Sequence, residues 1–190
     1  MTRPAAHDAR RAQLLAIGKR MFSARPFSAV AIEEIAAEAG ISTGLLYHYF
    51  KNKRALYVAA VRSFGDDLVA AMVFPGDVPM PEAALTALQR FHAFIQENEA
   101  LYRGVTRGGN ADAEVHAILD DVRQQIIARL FLAAGLSPTN TRTFHFHGWL
   151  GYVESSSLHW LAERTLPHDT VIGLQLGALP HSMLDYPSGT

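Results

Sequence analysis

Residues 33–56 read EEIAAEAGISTGLLYHYFKNKRAL, and this stretch decides the fold of the N-terminal part of the chain. Its first apolar residues recur at the three- and four-residue spacing of one helix face: Ile35, Ala36 and Ala39. Gly40 is predicted to end that helix, because a residue without a Cβ adopts the left-handed conformation of a C-terminal cap at little cost.

A second short helix is predicted over Thr43–Tyr49, with Ser42 as its N-cap because the hydroxyl can accept an otherwise unpaired backbone N–H. Leu46, Tyr49 and Phe50 recur at helical spacing and are expected to pack against the first helix. The side chains left nearer the outside are Thr43, Gly44, Leu45, Tyr47 and His48. Two short helices joined by a tight turn form a helix-turn-helix, whose second helix can enter the major groove of DNA.

The same stretch resembles the signature of the TetR family of transcriptional regulators. The matching positions are Ile35-Ala36, Ala39-Gly40-Ile41-Ser42, Gly44, Leu46-Tyr47-His48-Tyr49-Phe50, Lys53 and Leu56. The resemblance covers about the first third of the chain. It implies a regulator that binds a palindromic operator on double-stranded DNA as a homodimer and holds a small-molecule effector in its body.

The resemblance also implies roles for single residues. Those expected to face the edges of the bases are Thr43, Gly44 and Leu45. Those expected to hold phosphates are Tyr47, His48 and Lys53, while Ser42 caps the reading helix. Leu45 stands where the family often has a polar residue, which suggests apolar contact with a thymine methyl group.

Two residues depart from the family pattern. Pro26 replaces the usual glycine after the first helix, and because proline fixes φ at about −65° the left-handed cap cannot form there. That helix is therefore expected to end at one of the two residues before Pro26. Ala31 replaces the usual threonine N-cap of the second helix, which removes a phosphate contact and about 1 kcal/mol of capping.

Basic residues are concentrated at the N-terminal end. Residues 1–54 contain nine Lys and Arg against four Asp and Glu, whereas residues 55–190 carry a net charge of −6. A basic segment on an acidic body is typical of a protein that binds nucleic acid at one end. Residues 1–9 are predicted to form a flexible arm, whose Arg3 either reaches a minor groove or stays clear of the DNA.

Hydrophobic residues make up 49% of the 190 residues, which is a globular composition. No useful stretch alternates like a strand, so we predict an all-α protein. An N-terminal three-helix helix-turn-helix DNA-binding domain occupies residues 1–54, and a C-terminal helical ligand-binding and dimerisation domain occupies 55–190. The helices expected after the reading helix span about 53–72, 82–98, 101–107, 112–134, 140–164 and 167–186.

No apolar run approaches the roughly 18 residues of a membrane span, so a soluble cytoplasmic protein with no membrane partner is expected.

The last two helices are expected to form the dimer interface. The first of them carries a stripe of small residues at helical spacing: Gly148, Gly151, Ser155 and Ala162. Such a stripe lets two helix backbones approach closely. The resemblance implies that this helix pair meets the partner's pair in a four-helix bundle, whereas the alternative is ordinary intrachain core.

Aromatic and polar side chains on the body helices predict a ligand site. The candidates are Phe91, His92, Tyr102, Phe146, Trp149 and Tyr152. An apolar cavity with a few polar groups suits a small apolar or amphipathic effector. A closed aromatic core is the alternative, and the resemblance favours the pocket. The nine histidines lack the spacing of a metal site, so neither a metal nor a cofactor is expected.

Catalysis is not expected, because the chain has no cysteine, no G-x-S-x-G nucleophile elbow and no context of paired carboxylates. The sequence therefore predicts a ligand-responsive DNA-binding transcriptional regulator, a repressor that its effector releases from the operator. The alternative is a small-molecule sensor whose DNA-binding head no longer functions. The departures at Pro26 and Ala31 keep that alternative open.

Overall fold

A computed structural model of the chain describes residues 3–75, 78–108 and 112–179. Within these ranges the protein is all-α, as predicted, and no strand is present. The elements are α1 (Arg3–Ala24), a short 3₁₀ turn (Phe27–Ala29), α2 (Ile32–Glu38), α3 (Thr43–Tyr49), α4 (Lys53–Ala71), α5 (Met80–Glu97), α6 (Glu99–Gly108), α7 (Ala113–Ala133), α8 (Asn140–Glu163) and α9 (His168–Gly177). Across the described part of the chain, no helix is long and apolar enough to cross a lipid bilayer.

The chain divides into two compact units. The first comprises Met1–Asp67 and Glu97–Leu119, and the second comprises Leu68–Gln96 and Asp120–Thr190. Helix α4 contributes to both units, since the division falls near its C-terminal end. The predicted functional boundary between residues 54 and 55 stays a prediction.

The core of the first unit forms where α1 packs against α2 and α6. Its fully buried side chains include Leu14, Phe22, Ile35, Leu46 and Leu56, and α6 adds Leu101. A Cβ added at Gly18 would lie 3.2 Å from the side chain of Leu56, closer than ordinary van der Waals contact. Glycine at this position therefore leaves the space that Leu56 of α4 fills.

The second unit buries apolar side chains from α5, α7, α8 and α9. Its most deeply buried members include Leu88, Ile95, Leu130 and Val153. Arg123 of α7 bonds both carboxylate oxygens of Glu154 on α8, with its Nε 3.0 Å from Oε1 and its Nη2 3.1 Å from Oε2. Bidentate geometry of this kind fixes the orientation of two helices as well as adding energy.

Helix α1 ends where the sequence predicts but begins earlier. It stops at Ala24, and the Arg25 N–H donates to the Met21 carbonyl at 2.9 Å before Pro26 turns the chain. The predicted flexible arm over residues 1–9 is wrong from Arg3 onward, because those residues are helical. Pro4 lies in the first turn, where its missing N–H has no helical partner to lose, and the alanines that follow favour helix.

The other helix ends lie within two residues of the predictions, except the end of α9. Helix α5 starts at Met80, which places Pro81 in its first turn and not in the preceding loop. Helix α9 ends at Gly177, short of the predicted end at Tyr186. Helix α6 continues to Gly108, one residue past its predicted end, and Gly109 and Asn110 lie outside the described residues. So does the stretch 180–186, where the sequence predicts that Pro180 kinks or ends the last helix.

Candidate nucleic-acid interface and effector region

The turn between α2 and α3 has the geometry that its glycine predicts. Gly40 adopts φ = +67°, which is the left-handed region. Its N–H donates to the Ala37 carbonyl at 3.0 Å, and the Ile41 N–H donates to the Ala36 carbonyl at 3.0 Å. This paired pattern is the Schellman motif, which satisfies the last carbonyls of α2 and reverses the chain towards α3.

Helix α3 starts at a capped position and is anchored by its inner face. The Ser42 hydroxyl accepts the Leu45 backbone N–H at 3.2 Å, which confirms the predicted N-cap. Leu46 and Phe50 are buried and hold the helix against the rest of the first unit. Ala31, before α2, makes no side-chain cap hydrogen bond, as its methyl group requires.

The outer face of α3 is open to solvent. Its exposed residues are Gly44, Leu45, Tyr47 and His48, while Thr43 is half-buried. Leu45 and Tyr47 are each more than two-fifths exposed, which is unusual for large apolar and aromatic side chains. A Cβ at Gly44 would meet no atom closer than the Ser42 Oγ at 4.0 Å. Packing therefore does not require glycine there, and its bare backbone is available to a ligand.

The start of α4 adds positive charge beside this face. Asn52 caps the helix, since its Oδ1 accepts the Ala55 N–H at 2.8 Å, and it stands next to the exposed Lys51. The Lys53 Nζ lies 4.3 Å from the centre of the Phe27 ring, in a cation–π contact. A helix N-terminus flanked by two lysines is a favourable place for a phosphate.

Ion pairing leaves only part of the N-terminal positive charge free. Four basic residues of this segment pair with carboxylates in the first unit: Lys19 with Asp67, Arg20 with Glu38, Arg25 with Glu34, and Arg54 with Asp112. The hydrogen bond from Arg25 holds the pKa of the Glu34 carboxyl below its usual value. Among the described residues, Lys51 and Lys53 have no carboxylate partner. Arg10 and Arg11 of α1 also lack a carboxylate partner there, so the unpaired charge lies on α1 and at the start of α4, a result that residue counts alone do not give.

The profile described as "Bacterial regulatory proteins, tetR family" matches residues 14–60, which contain α2, α3 and the start of α4. A second profile, "Tetracyclin repressor-like, C-terminal domain", matches residues 81–179, more than half of the chain. The chain belongs to the TetR family. Members of this family are transcriptional regulators and not enzymes, which confirms the predicted class. TetR-family regulators bind DNA, dimerise and respond to small molecules.

Individual TetR-family relatives differ in the sign of regulation that their names give. The HTH-type transcriptional activator FasR of Mycolicibacterium smegmatis is 32% identical over 98 residues, which cover 50% of this chain and 45% of FasR. The HTH-type transcriptional repressor KstR2 of Rhodococcus jostii is 40% identical over 73 residues, 36% of each chain. The chain thus spans about half or less of the length of these relatives.

Solved TetR-family structures share the whole fold. A TetR-family regulator from Streptomyces coelicolor has a TM-score of 0.83 at 31% identity, covering 90% of this chain and 78% of that chain. A TetR regulator from Rhodococcus sp. RHA1 has a TM-score of 0.69 at 20% identity, covering 96% of this chain and 98% of that chain. The latter likeness concerns the fold alone.

The predicted effector residues fall into different places. Four of them are buried in the second unit: Phe91 and His92 on α5, and Phe146 and Trp149 on α8. Tyr102 is buried on α6 in the first unit, and Tyr152 is 41% exposed on α8. The structure therefore places five of the six predicted residues in the second unit, four of them buried and Tyr152 exposed, and separates Tyr102 from them.

A buried polar cluster surrounds His92 in the second unit. The His92 Nε2 lies 2.8 Å from the Gln175 Oε1 and 3.4 Å from the Ser157 Oγ, and all three residues are fully buried. The Gln175 amide nitrogen donates to Ser157 Oγ at 2.9 Å, while its backbone carbonyl accepts the Trp149 Nε1–H at 2.9 Å. Burial lowers the pKa of His92, so its ring is neutral at physiological pH.

Two ring nitrogens of this cluster lack partners. Within the described part of the chain, neither the Nδ1 of His92 nor the Nε2 of His168 has a hydrogen-bond partner, although both atoms are buried. The two rings are 5.0 Å apart between centroids. Sequence reasoning found His92 but missed Ser157, His168 and Gln175, because only the packing of α8 and α9 brings them to it.

Proposed function

We propose that this TetR-family protein is a homodimeric repressor that binds a palindromic operator through α3 and is released by a small apolar or amphipathic effector. The observation that carries the proposal is the exposed face of α3 next to Lys51 and Lys53, which have no carboxylate partner among the described residues. Helix α3 is held by its inner residues, so its outer face is free to enter a major groove. Binding to chromosomal DNA would place the protein in the cytoplasm.

The roles proposed at the DNA follow the exposure of each residue. Gly44 brings the backbone close to the bases, and Leu45 contacts a thymine methyl group. Tyr47, His48 and Lys53 hold phosphates, a role that supplies affinity and register but reads no sequence. Thr43 is half-buried and is proposed to reach a base only through its hydroxyl, while Ser42 stabilises the helix start.

Dimerisation is proposed to use α8 and α9. Four glycines, Gly148 and Gly151 on α8 and Gly173 and Gly177 on α9, have no atom within 4 Å of an added Cβ. Large apolar side chains beside them are exposed: Phe144 at 77%, Tyr152 at 41% and Leu174 at 53%. Open glycines flanked by exposed apolar groups suit close packing against an identical surface. Tyr152 then belongs to this interface in addition to its predicted ligand role.

The effector is proposed to bind in the second unit near His92. Apolar and aromatic groups such as Phe91, Phe146 and Trp149 are buried there, and the free Nδ1 of His92 offers one hydrogen bond. A buried polar atom without a hydrogen-bond partner costs free energy, so a ligand that supplies that partner binds more tightly. Because α4 contributes to both units, a change in the second unit can be transmitted along it to the first.

The experiment is selection of bound duplexes from a randomised pool by gel shift, followed by sequencing. An inverted repeat is expected. Gly44→Ala should keep the fold, since space for a Cβ exists, yet weaken binding of the selected duplex by about tenfold or more. Gly104→Ala, a change in an exposed helical glycine outside the interface, should bind as wild type. Absence of any enriched sequence would instead support a sensor with a non-functional DNA head.

A further inference from the structure

The first unit contains a cavity that none of the predicted effector residues lines. Its volume is about 350 Å³, which lies within the range of small-molecule sites. Its walls come from the end of α1, the 3₁₀ turn, α4, α6 and α7, and the main contributors are Phe22, Phe27, Tyr57, Leu101 and Val115. It shares no residue with the cluster around His92.

Three aromatic rings give the cavity a preference for flat apolar ligands. The ring centroids of Phe22 and Tyr57 are 5.2 Å apart, and those of Phe27 and Tyr57 are 4.9 Å apart. Phe22 is buried, whereas Phe27 is 40% exposed and so leaves part of its ring uncovered. Aromatic rings pack favourably in offset or edge-to-face arrangements, so another ring is a suitable partner for this cluster.

The polar groups of the cavity favour a neutral ligand. Arg54 donates from Nε to Asp112 Oδ2 at 2.9 Å and from Nη2 to Asp112 Oδ1 at 2.7 Å, and also bonds Glu114 at 3.2 Å. Among the described residues that line the cavity, Arg54 is the only basic one, and these carboxylates largely neutralise it, so the lining offers an anionic ligand no unpaired cation. Burial and the negative charge of Asp112 raise the pKa of Tyr57, which keeps its hydroxyl protonated.

The Tyr57 hydroxyl is the free polar group of the site. No residue in the described part of the chain forms a hydrogen bond with it. A Cβ added at Gly104 would lie 3.6 Å from that oxygen, so the hydroxyl faces the bare backbone of α6. A ligand can therefore form one hydrogen bond with the Tyr57 hydroxyl while its apolar part packs on the aromatic rings of the cavity.

We infer that this cavity binds a small, uncharged aromatic compound carrying one hydrogen-bonding group, and that its occupancy changes the affinity for DNA. The ligand contacts Phe27, whose ring holds the Lys53 ammonium at 4.3 Å, and Tyr57 of the first turns of α4. A shift of either ring moves Lys53, a proposed phosphate contact at the start of α4. This route from ligand to DNA does not involve the second unit. The effect on DNA rests on the proposed function, but ligand binding itself does not.

The test uses the full chain and N-phenyl-1-naphthylamine, an uncharged aromatic probe with one N–H that fluoresces in apolar surroundings. Gly104→Leu, which fills the cavity from α6, should weaken probe binding at least about tenfold, and Gln89→Leu, which adds the same side chain at an exposed position of α5, should bind as wild type. Tyr57→Phe keeps the ring and the fold and should weaken binding about threefold to tenfold. Wild-type protein that binds no probe, or Gly104→Leu and Tyr57→Phe proteins that bind it unchanged, would overturn the inference.

Duplex binding is measured in the same samples with and without probe. The affinity of wild type for its selected duplex should change at saturating probe, and that of Gly104→Leu should not. An equal response of both proteins overturns the link to DNA, because the probe then acts from another site. Failure of wild type to bind any duplex contradicts the proposed function and leaves the probe titration as an independent result on the cavity.

Discussion

At the scale of single residues, the pairing of charges decides which basic side chains can meet a phosphate. Lys19 is neutralised by Asp67, whereas Lys53 rests on the ring of Phe27 and has no carboxylate partner among the described residues. A cation on an aromatic face keeps its net charge, so it can still displace a counterion from DNA. The two lysines are therefore a natural pair for comparison.

Lys53→Ala should weaken binding to selected and unrelated duplexes alike. Loss of one phosphate contact should reduce the slope of log affinity against log salt concentration by about one unit. Fluorescence anisotropy titrations at several salt concentrations measure that slope. Lys19→Ala is the control and should leave the slope unchanged. If both variants keep the wild-type slope, Lys53 does not contact DNA.

His92 makes the stability of the protein depend on pH. Its ring is buried and its pKa lies below the ordinary value of 6.5, so the unfolded chain binds the proton more tightly than the folded chain. The free energy of unfolding should therefore fall as the pH decreases from about 6.5 towards the folded-state pKa, and level off below it. The stabilising contribution of the neutral ring is fully present above pH 6.5.

His92→Gln should flatten this dependence. The amide can still reach Gln175 but does not titrate. Between pH 7 and 5, unfolding of the variant should therefore bind up to about one proton fewer than unfolding of the wild-type protein. Urea unfolding at a series of pH values measures the slope. His159→Gln replaces an exposed histidine and should retain the wild-type profile. A profile for His92→Gln identical to that of wild type would rule out His92 as the source.

At the scale of elements, the helix-turn-helix could be read from the sequence because its signals are local. Gly40 ends α2 and Ser42 starts α3 through hydrogen bonds to residues at most five positions away. The start of α1 and the end of α9 were less predictable. The start of α1 at Arg3 depends on the helix propensity of the alanines and arginines that follow, and no single capping residue marks it.

The missing cap of α2 can be restored. Ala31 is already extended at φ = −91° and ψ = 142°, which is the conformation of an N-cap residue. Ala31→Thr should raise the free energy of unfolding by about 1 kcal/mol, measured by urea denaturation. Ala31→Val adds the same branching without a hydroxyl and should not stabilise. An equal gain from valine would show that burial, and not capping, is responsible.

The exposed glycines of α8 allow a matched test of dimerisation. Gly151→Arg places a charge in open space, so it should not disturb the subunit itself and should favour helix by up to about 1 kcal/mol. Sedimentation velocity at micromolar protein should show a shift from dimer to monomer with the helical circular dichroism kept. Gln89→Arg adds the same charge at an exposed position of α5 and should remain dimeric. A dimeric Gly151→Arg protein would place the interface elsewhere.

At the scale of the whole molecule, the all-α class and the exposed face of α3 could be predicted, whereas the cavity of the first unit could not. Its walls join Phe22, Tyr57 and Leu101, which are separated by tens of residues in the chain. Periodicity indicates which face of each helix is buried but not which partners that face meets. The polar cluster around His92 has the same long-range origin.

In the proposed complex, two copies of α3 lie in grooves of one duplex. The chain has no cysteine, so Ala37→Cys provides a unique attachment point on the exposed side of α2, next to α3 and outside the proposed contacts. The measurement is strand cleavage of the selected duplex by iron–EDTA attached to that cysteine. We predict two clusters of cleavage whose centres are about 10 base pairs, or a multiple of that, apart. Scattered cleavage, or the same two clusters from a Gln89→Cys protein, would contradict this arrangement of the two α3 helices.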